Sequence, residues 1–174
     1  MQAQIKDNML YKGIVELSYK VGDRIISKEF HNNGTEQLKR AFAMFMCGGS
    51  VAQTAQRYLP TKLDLKYKFS GNWVSTLTRT VPVTNPSYNY DDEESGKQWY
   101  VEYNSVIPYS SLKQEIVEGF DYRLYLLCQG TDSEDTSDEL AYINVDSQDL
   151  ATLTAGVSVL VSWKLKLLND SEIA

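Results

Sequence analysis

Residues 14–30, IVELSYKVGDRIISKEF, decide the fold class. Val15, Leu17, Tyr19 and Val21 alternate with Ile14, Glu16, Ser18 and Lys20, the period of two that puts successive side chains on opposite faces of a strand. Gly22-Asp23 then stands where a two-residue type II′ turn takes glycine first. Folding about that turn sets Tyr19 opposite Ile26 and Val15 opposite Phe30, all on one face. The segment is a β-hairpin with one apolar side, and such a hairpin needs further strands to cover it.

Working outward, Asn32-Asn33-Gly34 breaks the strand and Thr35 stands as a helix N-cap. Leu38, Ala41, Phe42, Phe45 and Met46 follow at helical spacing, and Gly48-Gly49 ends the run. This predicts a helix over about 36–47, with Leu38, Phe42 and Phe45 packed on a sheet. Ser50–Leu59 reads as a weaker helical turn. Strand patterns return at Leu63, Leu65 and Tyr67, at Trp73–Val83, Gln98–Ile107, Phe120–Cys128 and Leu140–Val145. The last and strongest strand is Val157–Leu168. Pro82–Gly96, with its tyrosines and Asp91–Glu94, reads as a long exposed loop that orders on a neighbouring subunit, and Thr131–Glu139 as an acidic, Ser/Thr-rich one. The expected architecture is mainly β: one domain over residues 1–174, an antiparallel β-sandwich or barrel with one packed α-helix and long loops.

The 174 residues suffice for one core, since a chain of this size buries roughly 70% of its unfolded surface. Twelve tyrosines stand out in the composition and favour pleated, half-buried surfaces and interfaces. A net charge of −6 argues against general nucleic-acid binding, which takes a basic face. The polar start, Met1-Gln-Ala-Gln-Ile5, is unlike a signal peptide, and no apolar run reaches the roughly 18 residues of a membrane span. Cys47 and Cys128 are too few for a disulfide framework and are expected to be reduced, core or near-core residues in a reducing cytoplasm.

Catalytic chemistry finds little to work with. His31 is the single histidine, at a strand end, where a surface role is expected rather than that of a base. One histidine and two distant cysteines do not make a transition-metal site. The acidic runs Asp91–Glu94 and Asp132–Glu139 lack the glycine-turn spacing of a calcium loop, and no phosphate-binding glycine motif occurs. Asn33-Gly34-Thr35 matches a glycosylation sequon, but without a secretory signal it reads as a turn and cap. The expectation is a non-enzyme without cofactor or metal. Its best working surface is the aromatic group Tyr88, Tyr90, Trp99, Tyr100 and Tyr103, suited to a protein or sugar partner.

His31-Asn-Asn-Gly-Thr35 leading into Leu38–Gly49, then Leu59–Leu65, Ala141–Val145 and Thr154–Asn169, follow one another in an order that resembles small virion proteins of tailed bacteriophages. The likeness is to neck, ring and tail components of crAss-like phages in particular, and Ser70–Lys113 lies outside it. The resemblance implies a β-sandwich with a helix on one side, repeated around a cyclic homo-oligomer that meets other neck or tail proteins. It implies a place in the virion after assembly in the host cytoplasm, with DNA passing through the ring. The acid excess would suit a lumen that repels phosphates, with the loops at Asp91–Glu94 and Asp132–Glu139 as candidates either to face it or to face outward. A tail-fibre adaptor, or a carbohydrate- or ligand-binding β-sandwich using the aromatic group, is the alternative.

Overall fold

The hairpin forms in the register that its alternation dictates. Strands β1 (Tyr11–Val21) and β2 (Arg24–His31) pair antiparallel, with Tyr19 opposite Ile26 and Val15 opposite Phe30. A slip of one residue would turn Val15 and Leu17 to solvent, and both are fully buried. The computed structural model describes residues 11–21, 23–84, 86–93, 96–129, 138–148, 150 and 158–167. Gly22 of the turn, most of the acidic segment 131–139 and the ends of the last predicted strand lie outside them.

After β2 come β3 (Asn33–Gly34), helices α1 (Glu36–Cys47) and α2 (Gly49–Ala55), then β4 (Pro60–Phe69), β5 (Asn72–Ser75) and β6 (Val81–Pro82). The chain continues through β7 (Ser87–Glu93), β8 (Gly96–Ile107), β9 (Tyr122–Cys128), β10 (Glu139–Val145) and β11 (Val159–Leu167). Two antiparallel sheets result: β2-β1-β11-β8-β7, and β3-β10-β9-β4-β5 with β6 also on β4. They pack face to face as a β-sandwich, the first of the two expected architectures.

Alternation explains the core. Val15, Leu17, Tyr103, Val161 and Trp163 line the inner face of the first sheet, and Leu63, Leu65, Leu124, Leu126 and Ile143 that of the second, in one continuous cluster. A second small cluster, Ala41, Tyr58, Cys128 and Leu140, seats α1 and the single helical turn Gln56–Tyr58 over one end of the second sheet. The chain crosses between sheets at Asn32, whose N–H donates to the Gly13 carbonyl at 3.0 Å. A Cβ at Gly13 would collide with the Asn32 side-chain amide, so a larger residue there forces that side chain to move.

Several expectations need correction. Ser87–Glu93, read as part of an exposed loop, is a strand paired along its length with Gly96–Glu102. An edge strand keeps one face wet, so acidic side chains do not exclude it, and the Asp91 charge is met by Lys166 Nζ at 2.6 Å. Phe42 and Phe45 do not enter the core: they are 45% and 38% exposed, and only Ala41 of α1 is fully buried. Thr35 sits at the N-cap position, but its hydroxyl donates to the carbonyls of Glu139 and Leu140 at 2.6 and 2.9 Å, tying the helix start to β10 rather than capping it. Cys128 is buried but Cys47 is exposed at the helix end, and the predicted strand over Trp73–Val83 is split into β5 and β6. In addition, β9 begins at Tyr122, leaving Phe120 partly exposed before it.

Leu126→Ala, in the middle of the core, is expected to lower the unfolding free energy by about 2–5 kcal/mol. Phe42→Ala is expected to lower it by no more than about 1–1.5 kcal/mol, because nearly half of the residue is already exposed. Urea denaturation of the two variants beside the parent checks both; a large loss at Phe42 would put that ring in the core after all.

Candidate functional site

An apolar cleft of about 420 Å³ opens between α1 and the far end of the first sheet. One wall is the helix face Leu38, Ala41, Phe42 and Phe45, and the other is Tyr88 of β7 with Trp99, Val101 and Tyr103 of β8 and Leu165 of β11, with Tyr100 and Lys166 reaching it from the strand edges. Tyr58, Leu59 and Pro60 close the base. The register explains why these strand residues gather. Tyr88 stands opposite Val101, Tyr90 opposite Trp99, Val101 opposite Leu165 and Tyr103 opposite Trp163, so all share the inner face. At this end of the sandwich that face meets the helix across a gap.

The aromatic group divides accordingly. Tyr88 and Tyr90 flank Trp99 with ring centroids 6.3 and 5.0 Å away, and Lys97 Nζ lies 3.9 Å from the centre of the Tyr90 ring. Tyr88 is 79% exposed and Trp99 46%, a large apolar commitment to solvent. Tyr100 belongs to the outer face, where Lys164 and Lys166 lie 4.8 and 5.8 Å from its ring centre. Tyr103 is buried and belongs to the core at the back of the cleft. The structure thus brings Tyr88, Tyr90 and Trp99 together as an exposed surface, while Tyr100 reaches the cleft beside Lys166 from the outer face and Tyr103 lies buried at its back. Phe42 and Phe45 join them, although their helical spacing is what a core-packed face would also show.

Electrostatics around the site are mild. Burial pushes the Tyr103 phenol up to about 12. Asp64, on the outer face of the second sheet, is raised by burial in spite of the Ser75 hydroxyl that donates to it at 2.6 Å. Burial works to lower Lys66, but its bond to Glu139 at 2.9 Å and the charges of Glu139 and Asp64 raise it overall. Among the described residues no three His, Cys, Asp or Glu side chains gather as metal ligands. His31 is exposed at the end of β2. A sugar site sets polar groups around a stacking ring. The side chains lining this cleft are almost all aliphatic or aromatic, a composition that suits an apolar side chain or segment.

Compared with protein families, with characterised proteins and with solved structures, the chain matches none.

The buried phenol gives a pH signature with a definite sign. Tyr103 keeps its proton in the folded protein to about pH 12, whereas the unfolded chain releases it near 10. Its contribution to stability is complete below pH 10 and declines as the pH rises through that interval. Tyr103→Phe is expected to flatten this part of the curve of denaturation midpoint against pH. An unchanged slope between pH 10 and 12 would assign the alkaline loss to other groups.

Proposed function

We propose that this chain is a structural subunit of a tailed-bacteriophage virion, part of a neck or tail ring or connector, that works by holding neighbouring subunits rather than by a reaction. The cleft carries the reading. Contiguous exposed aromatic and aliphatic surface marks an interaction site in a protein that must otherwise stay in water. Here Phe42, Phe45, Tyr88 and Trp99 are each more than a third exposed and converge on one gap. A neighbouring subunit's apolar segment is the occupant such a gap fits. The resemblance at Leu38–Gly49 and Thr154–Asn169 supplies the virion context.

A ligand-binding β-sandwich is the competing reading, favoured by the same ring trio and disfavoured by the scarcity of polar groups about it. The two separate on Phe45→Asp. For a virion subunit this variant should melt within a few degrees of the parent, yet fail to enter particles in which the parent is a stoichiometric component. Absence of the parent chain from purified particles, together with monomeric behaviour and a Trp99 fluorescence change on adding a sugar, would overturn the proposal in favour of the ligand-binding module.

A further inference from the structure

The first sheet ends on two long strands, β2 and β7, and neither has a second strand neighbour among the described residues. An open edge presents a row of N–H and C=O groups and is a template for another strand, and proteins ordinarily blunt it. Here β2 carries Ile25 and Ile26 at 71% and 45% exposure, and β7 carries Tyr88. The edges differ in charge. β2 bears Arg24 and Lys28 against Glu29, whereas β7 has no basic residue of its own and bears Asp92 opposite Lys97 of β8, next to Asp91, whose charge Lys166 meets.

We infer that copies of this chain join head to tail, β2 of one laid along β7 of the next, so that the first sheet continues across the contact. This rests on the reading of the chain as an assembly subunit and names the surfaces that do the assembling. Direction follows from topology. In the order β2-β1-β11-β8-β7 every neighbouring pair is antiparallel, so β2 and β7 run the same way. Repetition by rotation therefore makes a parallel β7–β2 ladder, and a two-fold axis would instead pair β2 with β2. Contacts between two different patches are what build rings.

Register follows from face and charge. Arg24, Ile26 and Lys28 share the inner face with Phe30, and Tyr88, Tyr90 and Asp92 share it on β7. Placing Arg24 beside Tyr88, Ile26 beside Tyr90 and Lys28 beside Asp92 gives a cation–π contact, an apolar contact and an ion pair on one face. The Asn32 N–H bonds to Gly13, which is opposite Leu165, itself opposite Val101 and so level with Tyr88. Bringing Arg24 to Tyr88 thus staggers the copies by the eight residues from Arg24 to Asn32. At about 3.3 Å per residue against five strands spaced about 4.8 Å apart, the strands tilt by about 45–50°. That is close to the 35–45° of closed sheets. The incoming β2 also lies over Tyr88, at the open side of the cleft.

Sedimentation velocity over a concentration series tests this with the full chain. The parent should associate reversibly, and more weakly at high salt. Lys28→Glu alone and Asp92→Lys alone should each raise the concentration of half-association about tenfold or more, because each puts like charges face to face. Both the double variant and an equimolar mixture of the two single variants should return to within about twofold of the parent. The mixture rescues because every β2–β7 contact between unlike copies again pairs opposite charges. If the parent associates but the single reversals do nothing, or the double variant fails to rescue, the edge contact is wrong and the assembly reading stands. A parent that stays monomeric at every concentration and is missing from particles removes both.

Discussion

The C-terminal strand holds the first sheet together. β1–β2 and β7–β8 are local hairpins, and among the described residues β11 alone joins them within the sheet. Trp163 sits at its middle, fully buried, opposite Val15 on one side and Tyr103 on the other. The inner face of the sheet, and therefore the surface on which the second sheet packs, exists only when residues 159–167 have returned to the first third of the chain. Such non-local pairing is costly in loop closure and slow to form. Alternation of the buried Val159, Val161 and Trp163 with the less buried Leu160, Ser162 and Lys164 compensates by specifying the register tightly.

Once that sheet is complete, its two ends meet different surroundings. Toward Val159 and Ile107 the second sheet covers it. Toward Leu165 and Trp99 it faces α1, which is fixed at its start by Thr35 on β10 and midway by Ala41 near Tyr58, Cys128 and Leu140. The later turns of the helix leave Phe42, Phe45 and Met46 exposed. The helix is amphipathic as a core helix is, but half of its apolar stripe stays exposed. Fold and candidate site are thus one geometric fact: a helix anchored over one sheet beside an end of the other that projects past it.

The acid excess is distributed in a way that the net charge alone conceals. Asp91 is joined to Lys166, Asp138 to Lys62 and Glu139 to Lys66, the last partly buried beside Tyr125. Exposed pairs of this kind contribute little individually, up to about 1 kcal/mol. Their consequence is for the field: carboxylates read as solvated loops are partly neutralised on strand surfaces, and the charge that remains is uneven between the two edges of the first sheet. That unevenness, rather than the total of −6, is what a neighbouring copy would meet.

The sequence by itself determined the local grammar. Period-two alternation in residues 14–30 specified the hairpin and its register to the residue, helical spacing with the double glycine bounded α1, and the count and order of most strands were legible. These are properties of the backbone and of neighbouring side chains, and they need no knowledge of what lies across a sheet. Tyr88, Tyr90 and Trp99 were legible as a group because their composition is unusual. Tertiary structure alone decided that Ser87–Glu93 is a strand, since an edge strand is defined by its neighbour and its acidic side chains tolerate either state. It also separated Tyr103 from Tyr88, because the inner face passes from core to cleft along a single strand with no change in pattern. It left Phe42 and Phe45 in a groove rather than a core, because periodicity reports which way a face points and is silent about whether anything stands there to cover it.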